Sequence, residues 1–161
     1  MLRRIIFTSV LVLLASQIPA KAEPVDTRLK ESSQQQKTFM VYKNPQCGCC
    51  DKWIKHINDF GFSSHVSPNL NISAVKSQYG IQPRYRSCHT AVIEGYAFEG
   101  HIPAHIIYQF LRDKPQNVIG LSVPGMPAGS PGMEVGDRHD EYQVLLLNKD
   151  GSTDVYAQII E

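Results

Sequence analysis

The chain of 161 residues carries 16 basic and 15 acidic side chains, a formal net charge of +1, together with four cysteines and six histidines. A balance this close to neutral, with no basic stripe, argues against nucleic acid or an anionic lipid surface as a partner. The length suits one domain with its own core, so the cysteines are not needed to make up for a small one.

Met1-Leu2-Arg3-Arg4 is a short basic start, Ile5 to Ala15 is mostly apolar, and Ala20-Lys21-Ala22 has the small-x-small form of a signal-peptidase site. The apolar run is shorter than the roughly 20 residues of a comfortable membrane span. The expectation is a signal peptide over 1–22, cleaved after Ala22, with export to a bacterial periplasm and no membrane attachment afterwards. Loss of Arg3, Arg4 and Lys21 leaves 13 basic against 15 acidic residues, near −2. Residues 23–37, centred on Ser32-Ser33-Gln34-Gln35-Gln36, bury too little to order themselves and read as a flexible tether. A single domain is expected over 38–161.

Phe39-Met40-Val41-Tyr42 reads as a buried strand ended by Asn44-Pro45. Trp53, Ile57 and Phe60 then recur at helical spacing, with Gly61 as the stop. Phe62 to Ser67 predicts a short second strand, and Ile72, Val75 and Tyr79 mark a second helix ending at Gly80. Ala91-Val92-Ile93 and Tyr96-Ala97-Phe98 predict an antiparallel pair around Glu94-Gly95. Pro103 opens a third helix with Ile106, Ile107, Phe110 and Leu111 as its buried stripe. Ser122 to Gly136 is a long Gly/Pro/Met loop of the kind that binds something or covers a site. Tyr142–Leu147 and Thr153–Ile160 predict a C-terminal hairpin around Asn148-Lys149-Asp150-Gly151. The expectation is an α/β, thioredoxin-like β-α-β-α-β-β-α domain with that loop and hairpin appended.

Cys47-Gly48-Cys49-Cys50 falls at the first strand-to-helix turn. Exposed N–H groups and the positive end of the helix dipole favour thiolate there. Three thiolates so close repel one another and need oxidation, protonation or a cation. Buried structural cysteines occur singly and inertly, so packing alone is a poor account of the cluster. Metal binding and thiol–disulfide chemistry through Cys47 and Cys50 both stay open. In the expected topology Cys88 and His89 face the cluster, which makes Cys88 a fourth ligand. Met126 and Met133 tilt the choice from zinc to Cu(I), because thioether suits Cu(I) and structural zinc sites usually use two separated cysteine pairs. The two methionines could equally just seat the loop. His89 is a secondary candidate beside its reading as a core histidine. His101 and His105, spaced i, i+4, are further metal-ligand candidates, although His101 precedes Pro103 and so lies outside the helix that the usual paired geometry needs. His56, His65 and His139 read as solvated. No hydrolytic triad, phosphate loop or paired-carboxylate device stands out.

Taken together, Cys47-Gly48-Cys49-Cys50, Ser87-Cys88-His89-Thr90, Gly100-His101-Ile102-Pro103-Ala104 and the segment Gly125 to Met133 resemble the CopG-type copper-resistance proteins. The resemblance spans nearly all of 38–159. It implies a thioredoxin-like fold, a periplasmic setting and a cysteine-bridged cluster of copper ions held by Cys47, Cys49, Cys50 and Cys88. It further implies a role in copper tolerance, with Cu(I)/Cu(II) redox change as one form of it. Other periplasmic copper-handling proteins are the expected partners. A thiol–disulfide oxidoreductase and a structural zinc domain are the alternatives.

Overall fold

The computed structural model describes residues 37–68 and 71–160. The expected signal peptide, and all of the expected tether but its last residue, lie outside them. Strand β1 (Thr38–Lys43) leads into helix α1 (Gly48–Asp59), strand β2 (Ser63–Val66) and helix α2 (Ile72–Gln78). A 3-10 turn (Pro83–Tyr85) precedes β3 (His89–Ile93), β4 (Tyr96–Glu99) and helix α3 (Ala104–Asp113). Strands β5 (Val118–Ser122), β6 (Tyr142–Asn148) and β7 (Thr153–Ile159) complete one sheet, in the order β2-β1-β3-β4-β5-β6-β7. The α/β class and the expected element order up to α3 are those observed.

Buried alternation writes the sheet. Phe39 and Val41 of β1 are fully buried, and Ala91, Phe98 and Leu121 continue the same core across β3, β4 and β5. Phe39 packs edge-on against Trp53, Phe62 and Phe98 with ring centroids 5.2–6.3 Å apart. Each such side chain contributes about 1.5–3 kcal/mol by burial. Helix α3 turns Ala104, Ile106, Ile107, Phe110 and Leu111 inward as its spacing requires.

Three sequence expectations need correction. Phe60 is not part of the α1 stripe: it caps the helix, is 47% exposed and lies beside Phe62 and Tyr108. The inward face of α2 carries Lys76 as well as Val75, because Lys76 finds a buried partner described below. Strand β5 was not expected, and it alone joins the C-terminal hairpin to the sheet, pairing parallel with β4 and antiparallel with β6. Gly120 interrupts its apolar run and hides the strand signal. A side chain there would collide with the Ala97 carbonyl, its Cβ only 1.8 Å from that oxygen, so close backbone approach excludes a better strand former. Among the described residues no helix is long and apolar enough to cross a membrane.

Candidate metal centre

The register of two strands builds the centre. Lys43, the last residue of β1, pairs with His89, the first of β3. The turn leaving β1 and the segment entering β3 therefore lie side by side at one end of the sheet.

On the first side Cys47 is the N-cap of α1 and offers no side-chain cap, so the helix start keeps its N–H groups for other partners. Its backbone N–H closes a tight turn on the Asn44 carbonyl at 3.0 Å. Lys43, only 5% exposed, donates to the Asn44 and Pro45 carbonyls and pairs with Asp51 at 2.9 Å, tying the turn to the helix. Cys50 is fully buried, while Cys47 and Cys49 are half-buried. A disulfide joins Cys47 to Cys50. The Cys49 sulfur lies 3.4 Å from that of Cys47.

Cys88 enters from the facing side. Its sulfur and those of Cys47, Cys49 and Cys50 all lie within 4.8 Å of one another. A second group, Cys88 with His89 and His101, meets the same limit, so Cys88 belongs to both. The Cys88 thiol donates to Nε2 of His101 at 2.9 Å, because Nδ1 of His101 donates to the Pro131 carbonyl at 2.8 Å. That carbonyl selects the tautomer that turns the Nε2 lone pair towards the sulfurs. His89 is wholly buried, its ring 4.4 Å from Trp53 and edge-on to His101 at 5.0 Å. Its Nδ1 lies 3.4 Å from the Cys88 sulfur, and its Nε2 has no hydrogen-bond partner. A buried imidazole nitrogen as close to a sulfur as this Nδ1 fits a metal donor set.

The electrostatics follow from burial. Burial first, then the neighbouring Cys49, pushes the Cys88 thiol up to about 11. Burial, followed by His101, Lys76 and Lys43, holds His89 well below the ordinary imidazole value. Burial also lowers His101, against the Pro131 carbonyl and Glu134. Burial thus favours the neutral form of each of these three groups, and a bound cation would favour the Cys88 thiolate.

The long loop closes over this end. Gly132 approaches so closely that a Cβ there would lie 2.7 Å from the Cys49 carbonyl and 2.9 Å from the Trp53 nitrogen. Ser87 donates to the Gly125 carbonyl, and Asp140 holds the loop through the Ala128 N–H at 2.9 Å. On it Met126 is 53% exposed and Met133 half-buried.

The histidines fall in separate surroundings, and His56 departs from the expectation. His101 and His105 do not act as a pair: His101 joins Cys88, whereas His105 is exposed on α3 and outside both groups. His65 and His139 are exposed. His56 is not a solvated position. It is half-buried, and its Nε2 accepts the Ala104 N–H at 3.0 Å, giving α3 the cap that the side chain of Pro103 cannot supply. Sequence reasoning also missed Lys43, Lys76, Thr90 and Glu99, which brace the two sides. Buried charges 23 residues apart carry no local signal. A surface cavity of about 620 Å³ is separate; Tyr79, Tyr96 and Lys149 help line it, without a cysteine or histidine.

Residues 85–133 match a family described as "Protein of unknown function, DUF411". No curated protein matches the chain. Two solved structures, described as "Copper resistance protein copG" Form 1 and Form 2, are similar over their whole length. Form 1 is 42% identical with a TM-score of 0.73 and covers 79% of this chain. Form 2 is 43% identical with a TM-score of 0.72 and covers 78%.

Proposed function

The chain belongs to the CopG copper-resistance family, and from that premise we propose that it is a periplasmic copper-binding protein of copper tolerance whose cargo is Cu(I). The observation that carries the reading is the convergence of four cysteine sulfurs within 4.8 Å, with His89 and His101 on the Cys88 flank. Thiolate sulfur is a soft donor suited to Cu(I), and imidazole suits copper in either common valence. Sulfurs that bridge several cations offset their mutual repulsion, so the pocket takes more than one ion. Imidazole beside thiolate offers donors to both Cu(I) and Cu(II), so the two valences would interconvert there by exchange of one electron with an external redox partner. Met126 and Met133 are additional thioether donors from the covering loop. The sheet order β2-β1-β3-β4, with β1 and β2 parallel, supports a thioredoxin-like domain carrying the site. Copper arrives from, and leaves to, other periplasmic copper-handling proteins.

Four thiolates require the Cys47–Cys50 bond to be open, which takes two electrons and two protons from a dithiol reductant that is itself oxidised to a disulfide; the protons leave again as the thiols bind Cu(I). Cu(I) titration of the reduced protein against a competing chelator should therefore reveal tight binding of more than one ion. Cys49→Ser with Cys88→Ser should weaken it by about 100-fold or more, since disturbing a group that only orients a ligand already costs roughly 10–100-fold. Unchanged binding in the double variant sinks the four-sulfur site.

The disulfide favours a second reading, a thiol–disulfide oxidoreductase. Cys47 is the accessible sulfur at a helix N-terminus and Cys50 the buried one, as an attacking and a resolving thiol require. The pair would pass two electrons and two protons to a substrate disulfide as its own bond forms. Insulin reduction that survives Cys49→Ser and is abolished by Cys47→Ser would select it. Metal analysis after anaerobic purification separates both readings from a zinc domain.

A further inference from the structure

Beneath the sulfur pocket lies a charged cluster that the copper reading does not use. Glu99, at the end of β4, is fully buried, and Lys76 of α2, 7% exposed, is its ion-pair partner. The carboxylate also accepts the Ser87 N–H at 2.6 Å and the Thr90 hydroxyl at 2.6 Å. Lys76 donates in turn to Thr90 at 3.1 Å. Thr90 faces Glu99 across the β3–β4 pairing, so one oxygen holds the strand and the other the segment before it.

Burying such a pair is costly, and an apolar pair of similar size is often as stable or more so. Its retention calls for a use beyond stability. Ser87 and Thr90 flank Cys88 and His89, and no hydrogen bond to a neighbouring strand holds Ser87 or Cys88 in the β-ladder, which begins at His89. We propose that Glu99, anchored by Lys76, is a positioning residue that holds Cys88 in reach of Cys47, Cys49 and Cys50. The carboxylate grips the chain on both sides of Cys88 and leaves the sulfur itself free for its partners. The proposal concerns where Cys88 sits. Only its consequence for metal rests on the copper reading.

The test uses the full chain, reduced and metal-free, and compares two double variants that both lack the ion pair. Glu99→Gln with Lys76→Met keeps an oxygen that accepts the Ser87 N–H and an NH2 group that donates to the Thr90 hydroxyl oxygen; Glu99→Ala with Lys76→Met keeps neither. The first readout is the rate at which iodoacetamide alkylates Cys88, resolved from the other cysteines by peptide mass spectrometry. The alanine pair should alkylate about tenfold faster than wild type, as expected when a buried charge-assisted restraint is lost, and the glutamine pair within about twofold. Equal rates in the two folded double variants overturn the proposal, because loss of the ion pair alone then explains any change. Should the alanine pair fail to fold, Thr90→Val decides: a rate about threefold above wild type supports the brace, and an unchanged rate overturns it. The second readout is Cu(I) titration. If alkylation separates the variants while Cu(I) binding stays that of wild type in all of them, the brace stands and Cys88 is not a copper ligand.

Discussion

Cys47, Cys49 and Cys50 come from a single turn and the first residues of one helix, whereas the side facing them gathers Cys88, His89, His101 and the Pro131 carbonyl from three separate segments. The first side is local: its geometry follows from a strand end, an Asn-Pro turn and a helix start within seven residues. The second is tertiary, held by a strand register, a buried ion pair and a loop contact. The lesson is that the two should fail differently. Loosening the core should scatter the second side long before it disturbs the spacing of the first.

Trp53 links them, and its removal should have the largest effect. Its ring lies against His89, and its indole N–H donates to the Ile102 carbonyl at 2.9 Å, next to His101. Trp53→Ala should cost about 3–5 kcal/mol in a urea unfolding experiment. Trp53→Phe, which keeps an aromatic ring but loses the indole donor, should cost less. An equal loss in both would mean that the hydrogen bond matters more than the packing.

A smaller break is available at the cover. Gly132 has φ +88°, and its missing side chain leaves room for the Cys49 carbonyl and Trp53 nitrogen, whereas Gly136, also at positive φ, has open space around it. Gly132→Ala should cost about 1–3 kcal/mol more than the left-handed penalty that Gly136→Ala alone incurs. Paired thermal melts measure the difference, and equal losses would mean that the loop does not press on α1.

The mildest test sharpens the histidine assignment. Burial lowers His56 against the pull of Glu134, and its neutral Nε2 caps α3. A histidine lowered in the folded state binds fewer protons there than when unfolded. Its stabilisation is therefore full above its ordinary value near 6.5 and is lost as pH falls from there towards the folded value. His56→Gln supplies an acceptor that does not titrate, so its melting temperature should fall less than that of wild type between pH 7 and pH 5. Parallel slopes would remove His56 from the acid response.

The pattern of surprises follows the same division. Helix α3 and its buried stripe were legible because apolar residues repeat at 3.6 and Pro103 marks the start. Strand β5 was not, since Gly120 answers to the Ala97 backbone of another strand and dilutes the local pattern. His101 and His105 look equivalent by spacing, yet only His101 reaches Cys88, because the chain before Pro103 is not helical and aims it elsewhere. Lys76 reads as the polar face of a short helix until Glu99 is known to lie beneath it.

The residues alone determined the order of elements up to α3, the soft-sulfur character of Cys47, Cys49 and Cys50, and their seat at a helix start, since each rests on neighbours within about one turn. Tertiary structure decided which distant groups complete the pocket, Cys88 through the β1–β3 register and His101 through the Pro131 carbonyl, and it set the Glu99–Lys76 pair against the residues that flank Cys88. Contacts of that kind depend on burial and on partners far along the chain, and these exist only once the sheet has formed.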